Sequence, residues 1–288
     1  MKISNSVLHR FISALFVLAI SGCASLQAPN QEYTSTVLSK DGSEIVYGVK
    51  GQGKTTLVFV HCWTCNHRFW KSQIDYFAKS HKVVWLDLAG HGQSGSARVD
   101  YTMEAFGEDV AAVVNAVGTK KVILVGHSMG GPVVVEAAKK LDQKVVAIVG
   151  VDTFYTPFQY PESESEIDVF VKPIRDDFVG ASQQMVQSMF TPKVDPELKA
   201  SIVKQFTGTN PEMGISAMYE LFRWHAQDAP SSLEYFSDKL SNINAAPSGN
   251  ETPLHKSVLL IPNVGHFVPQ VKPDEFNAVL NSIISEHQ

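Results

Sequence analysis

Five residues, Gly126-His127-Ser128-Met129-Gly130, follow directly on the apolar run Val122-Ile123-Leu124-Val125, and they restrict what this chain can fold into more than any other feature. The apolar run has the character of a buried strand, and the small-residue stretch Gly130-Gly131-Pro132-Val133-Val134-Val135 leads into a helical pattern. The chain must therefore reverse sharply around one serine. Glycines two positions to either side of Ser128 carry no Cβ, so strand and helix can close on each other there. A strand, this turn and a helix in succession make a common five-residue pattern specific. Ser128 is the expected nucleophile, held on a strained turn.

The rest of the chain agrees with a strand–turn–helix unit of this kind. Residues 33–49 alternate around the turn signal Asp41-Gly42 and read as a β-hairpin. Short apolar runs then recur, at Leu57-Val58-Phe59-Val60, Val83-Val84-Trp85-Leu86, 122–125, 145–151 and Val258-Leu259-Leu260-Ile261. Helical spacing of apolar residues separates them, over 103–117, 136–141 and 275–284. Buried strands alternating with amphipathic helices predict an α/β fold, a mostly parallel twisted sheet flanked by helices. The alternation breaks once, between about 153 and 239, where helical patterns at 179–190, 196–206 and 215–225 are punctuated by Pro157, Pro161, Pro173, Pro192, Pro211 and Pro230. This segment is expected to be a helical cap inserted into a core formed by 33–152 and 240–288. Ligands of open α/β sheets sit at strand C-termini, so such a cap would roof the site. At 288 residues the chain is long enough to bury a substantial core.

The N-terminus reads differently. Lys2 and Arg10 precede an apolar stretch, 11–20, too short to span a bilayer. The following Ile20-Ser21-Gly22-Cys23 resembles the lipobox of bacterial lipoproteins. That resemblance implies a signal peptide over 1–22, acylation of Cys23, a short tether over 23–32, and a place in the bacterial cell envelope. Ser25 rather than aspartate after the cysteine implies the outer membrane, facing the periplasm. A plain signal peptide with an incidental cysteine is the alternative. Loss of Lys2 and Arg10 would take the formal charge from −5 to −7, and with no basic tract a nucleic-acid partner is not expected. Cys62-Trp63-Thr64-Cys65 leaves three readings open: a local disulfide, free thiols, or a redox pair lacking the usual context.

Four segments in order resemble the α/β-hydrolase family with a cap domain. Val58-Phe59-Val60-His61-Cys62-Trp63 resembles the strand and His-Gly loop that supplies one oxyanion-hole N–H, which the resemblance places on Trp63. Cys62 stands where the family usually has glycine, and a positive φ there would strain it. Met129, after the nucleophile, would supply the second N–H. Asp87-Leu88-Ala89-Gly90-His91-Gly92-Gln93-Ser94 resembles a loop whose aspartate and histidine are structural in the family. Ile261-Pro262-Asn263-Val264-Gly265-His266-Phe267 resembles the segment of the general-base histidine, which assigns that role to His266.

The triad acid is the open position. The family commonly places it after the penultimate strand, but Leu240-Ser241-Asn242-Ile243-Asn244-Ala245-Ala246-Pro247 offers no carboxylate. Some members place it at the end of the strand after the nucleophile helix, which favours Asp152 here; Asp238 and Glu251 flank the usual position and remain alternatives, as does an N-capping role for Asp152. The resemblance implies a serine hydrolase acting on small or medium acyl esters, with no cofactor and no metal. Carbon–carbon bond or lactone hydrolysis by the same triad, and a non-catalytic hydrolase-like lipoprotein, are the alternatives. Cap residues Phe178, Met185, Met189, Phe190, Met218, Phe222 and Trp224 are expected as apolar walls or as cap-to-core packing. Oligomeric state is not legible.

Overall fold

The protein is described here as a computed structural model covering residues 32–246 and 252–287. Cys23, the leader and nearly all of the tether, and Glu251, lie outside the described residues. The chain opens with the expected hairpin, β1 (Tyr33–Leu38) and β2 (Glu44–Lys50), then β3 (Thr55–Val60). It continues through α1 (Lys71–Phe77), β4 (Lys82–Leu86), α2 (Met103–Val117), β5 (Lys121–His127), α3 (Gly130–Leu141) and β6 (Val145–Val151). Five helices follow before the next strand: α4 (Glu164–Asp176), α5 (Phe178–Ser188), α6 (Pro196–Thr207), α7 (Pro211–Gln227) and α8 (Ala229–Tyr235). The chain then returns through β7 (Leu240–Ala245), β8 (Val258–Ile261), α9 (Val268–Val271) and α10 (Pro273–Glu286).

The eight strands form one sheet in the order β1-β2-β4-β3-β5-β6-β7-β8. Pairings from β4 through β8 are parallel, and the hairpin adds an antiparallel edge. Strand alternation explains why both faces are covered. Leu57 and Phe59 of β3, with Ile123 and Val125 of β5, pack with Phe77 of α1 and Phe276 and Leu280 of α10. Val58, Val60, Val122 and Leu124 point the other way, toward Val110 and Val114 of α2 and Val133 and Val134 of α3. Every parallel strand thus ends on the same edge of the sheet, the edge that carries the elbow.

Local chemistry sets the helix boundaries. Thr102 accepts from the Ala105 N–H at 3.0 Å to start α2, and Gly118 ends it at φ +68°. Asp195 and Asn210 cap α6 and α7, each followed by proline in the first turn. The patterned segments 179–190, 196–206 and 215–225 correspond to α5, α6 and α7. Helices α4 and α8 were not expected. Pro173 lies inside α4, three residues from its end, where a missing N–H forfeits one bond of the last turn and does not stop the helix. Pro230 falls in the first turn of α8, where proline fits. Among the described residues no helix is long and apolar enough to cross a membrane.

Two polar clasps bind α7 to the core. The Trp224 indole N–H donates to Glu136 Oε1 at 2.7 Å, and the Trp63 indole N–H donates to the Gly214 carbonyl at 2.8 Å. Phe178, Met218, Phe222 and Trp224 are buried in packing, whereas Met185, Met189 and Phe190 are only partly covered.

Candidate active site

Ser128 follows the last residue of β5 at φ +55°, a left-handed conformation that a non-glycine residue adopts only under constraint. The constraint is visible in its neighbours. The Ser128 N–H donates to the Val151 carbonyl at 2.9 Å, and its own carbonyl accepts from Gly131 at 2.8 Å. A Cβ on Gly126 would lie 2.1 Å from the Gly130 carbonyl oxygen, and one on Gly130 would lie 2.6 Å from that of Val60. The glycines are therefore required by contact between β5, β3 and the start of α3.

His266 reaches this edge on the loop after β8, and its ring centroid lies 4.8 Å from that of His127. It is held at three atoms. Its Nδ1 donates to Asp152 Oδ2 at 2.7 Å, its backbone N–H donates to the Met189 carbonyl at 3.0 Å, and its carbonyl accepts from His127 Nε2 at 2.9 Å. The Asp152 bond fixes the tautomer and leaves Nε2 of a neutral ring as a base. Burial, reinforced by the neighbouring His266, holds the His127 pKa down to about 3, so His127 is a neutral donor to that carbonyl. No local signal marks its contact with a residue 139 positions away.

Asp152 follows the last residue of β6 at φ +46°, and its carboxylate reaches across the sheet edge to the neighbouring strand. Val151 is in register with Ile243 of β7, so Asp152 stands beside the segment that lacks a carboxylate. That segment contributes a donor in its place: the Ala245 N–H bonds Asp152 Oδ1 at 2.9 Å. Asn244 Nδ2 secures the following turn through the Phe154 carbonyl at 2.8 Å. Asp152 has no N-capping bond to the cap helices among its hydrogen bonds, and it pairs with His266. Asp238 is exposed just before β7 begins, at the opposite edge of a parallel sheet, and is not brought to His266.

The turn after β3 carries the Cys62–Cys65 disulfide, with Cα atoms 5.3 Å apart. The left-handed residue is Thr64, at φ +52°, and not Cys62, so the strain expected at Cys62 is displaced by two positions. Neither the Trp63 nor the Met129 N–H donates to a backbone or side-chain acceptor among the described residues. Two unspent donors therefore stand at the strand ends that carry the elbow, one in the disulfide turn after β3 and one beside Ser128 at the start of α3.

Asp87 and His91 sit where the resemblance places structural groups. Asp87 is fully buried and accepts from the His67 N–H at 2.7 Å, the His67 ring at 2.9 Å and the Gln93 N–H at 2.9 Å. Burial pushes its pKa up, but these bonds and the nearby His61 outweigh it and leave the carboxyl below its ordinary value. His61 donates from Nδ1 to the Cys62 carbonyl at 2.8 Å and accepts the Leu88 N–H at Nε2, tying this loop to the disulfide turn.

A model of the alpha/beta hydrolase fold matches residues 55–239, and the chain belongs to that family. Among curated relatives it is 28% identical over 262 residues to the dihydrolipoyllysine-residue acetyltransferase component of an acetoin cleaving system from Cupriavidus necator, covering 83% of this chain and 66% of that one. It is 32% identical over 143 residues to the bifunctional esterase/perhydrolase DCH of Acinetobacter calcoaceticus, covering 49% of this chain and 51% of that one. The chain thus spans between half and two thirds of the length of these two relatives. Among solved structures, an esterase from Thermogutta terrifontis superposes with a TM-score of 0.72 at 22% identity, over 90% of this chain and 100% of that one. An esterase from Exiguobacterium antarcticum gives 0.74 at 16% identity, over 88% and 100%. At such identities the likeness is one of fold.

Proposed function

We propose that this protein is a serine hydrolase that cleaves small or medium acyl esters through an acyl-enzyme. The observation that carries the reading is the 2.7 Å bond between His266 Nδ1 and Asp152 Oδ2, beside a serine on a left-handed turn. His266 Nε2 takes the proton from Ser128 Oγ as the oxygen attacks the ester carbon. The negative charge that develops on the carbonyl oxygen is received by the N–H groups of Trp63 and Met129, preorganised because they have no other acceptor. His266 returns the proton to the departing alcohol. It then activates a water, which releases the carboxylic acid and regenerates Ser128. Asp152 stabilises the imidazolium formed in each half-reaction. The partly covered Met185, Met189 and Phe190 are the cap residues we assign to the acyl pocket, since Met189 already contacts the base through its carbonyl.

The esterase/perhydrolase relative, at 32% identity, supports ester chemistry. Hydrolysis of p-nitrophenyl esters of increasing chain length tests it. Ser128→Ala is expected to lower kcat by about 10⁴-fold or more. Equal rates for the two proteins would remove the reading. We further propose a lipid anchor at Cys23, holding the enzyme at the bacterial envelope, on the periplasmic side of the outer membrane. The support is the Ile20-Ser21-Gly22-Cys23 sequence. Labelled palmitate should be incorporated by the wild type and not by Cys23→Ser; equal labelling would refute the anchor.

A further inference from the structure

We infer that the Cys62–Cys65 disulfide positions the oxyanion donor at Trp63, replacing the conformational freedom of a glycine with a covalent constraint. The inference rests on the proposed hydrolase reading. Of the two unspent donors, the Met129 N–H is fixed by the start of α3, while the Trp63 N–H belongs to a loop. The loop is held by the cap, by the His61 ring on the Cys62 carbonyl at 2.8 Å, by the Thr209 hydroxyl donating to the Thr64 carbonyl at 3.1 Å, and by the disulfide. The cap fixes the indole, through the Gly214 carbonyl at 2.8 Å and the rings of Phe178 and Phe206 at 5.9 and 6.1 Å. The disulfide fixes the peptides, bracketing Trp63 and Thr64 in a turn closed by the Cys65 N–H to the Cys62 carbonyl at 3.1 Å.

Thr64 is why the turn needs a constraint. A β-branched residue at φ +52° is strongly disfavoured and persists only where its surroundings over-determine it. Released, Thr64 would return to negative φ, and the Trp63 peptide would rotate with it. Loop size argues for this role over general stabilisation. The stabilisation a crosslink gives through the unfolded chain grows with the logarithm of loop length, and this bond joins residues only three apart. Its main effect is therefore local geometry. Trp63 would be the residue whose N–H touches the reacting oxygen, and Cys62 and Cys65 are positioning residues.

The test compares wild type, Ser128→Ala, Cys62→Ser/Cys65→Ser, and the same double variant with Thr64→Gly. The readouts are p-nitrophenyl acetate hydrolysis and inhibition by an aryl trifluoromethyl ketone, whose hemiketal oxyanion occupies the same donors. Loss of the crosslink is expected to lower kcat by roughly ten- to a hundredfold with KM nearly unchanged, because an oxyanion donor acts only in the transition state. Inhibitor affinity should fall in parallel. Thr64→Gly should restore most of both, because glycine adopts positive φ freely. If the double variant does not fold, wild-type protein reduced with dithiothreitol, its two new thiols titrated and its circular dichroism retained, replaces it. Unchanged kcat in the crosslink-free protein, or a loss that Thr64→Gly does not relieve, overturns the inference and leaves the hydrolase reading intact. Wild type no faster than Ser128→Ala overturns that reading, and the inference with it.

Discussion

Gly265 precedes the candidate base, and a Cβ there would lie 2.2 Å from the Met189 carbonyl oxygen, the acceptor of the His266 N–H. Gly265→Ala must therefore push the α5 C-terminal turn off the His266 loop. A loss of about 1–3 kcal/mol is expected in urea unfolding, as for overpacked interiors, together with a fall in kcat. Full activity and an unchanged midpoint would mean that the turn moves freely. Asp152→Asn is expected to reduce kcat by the order of 10⁴, since an amide no longer favours the tautomer with Nδ1–H, while Asp238→Asn at the far edge leaves it unchanged. The reverse order would reassign the acid. At this scale legibility differs residue by residue. Ser128 and His266 lie in contiguous signals with glycine and strand residues around them. Asp152 is marked only by its place at the end of a strand, which favours it without excluding Asp238 or Glu251, because its partner is 114 positions away and its second contact is a backbone N–H on a neighbouring strand.

Helix α7 joins the cap to α3 through the Trp224 indole and the Glu136 carboxylate, both buried. Trp224→Phe keeps an aromatic ring, though a smaller one, and removes the indole N–H, which leaves Glu136 bonded only by Lys139 at 2.6 Å. A cost of about 1–3 kcal/mol is expected from the lost partner of a buried charged group, read as a lower denaturant midpoint. No change would show that the contact does not hold the cap. The core strands other than β7, and α5 to α7, were legible because their apolar residues follow the periods of strand and helix, whereas β7 carries Ser241, Asn242 and Asn244 and is placed only by the family resemblance. Helix α4 was hidden by Pro173, whose place in the last turn depends on where the helix begins. Helix α8 is seven residues long with few buried apolar positions, too short for a period to emerge.

Across the whole molecule, burial governs the response to acid. His91 and His127 lie almost wholly inside, and burial, with like-charged histidine neighbours, brings both pKa values down to about 3. In the unfolded chain each titrates near about 6.5, so between these values the unfolded state binds the extra protons. Their contribution is complete above the unfolded pKa and is lost as pH falls toward the folded one. The slope is about 1.4 kcal/mol per proton per pH unit, or roughly 3 kcal/mol per unit for the pair. Urea midpoints at about pH 7.5 and about pH 5 should differ accordingly, with lower stability in acid. Equal midpoints would mean that both rings accept protons in the native protein. Strand types and the elbow follow from short-range pattern, because apolar period and the absence of a Cβ act within a few residues. The α/β class, the strained serine and the histidine loop can therefore be read along the chain. Long-range packing settles that Asp152 and not Asp238 meets His266, that Thr64 and not Cys62 bears the left-handed strain, and that a cap carbonyl holds the base. Those outcomes depend on strand order and register, which bring distant residues to one edge of the sheet.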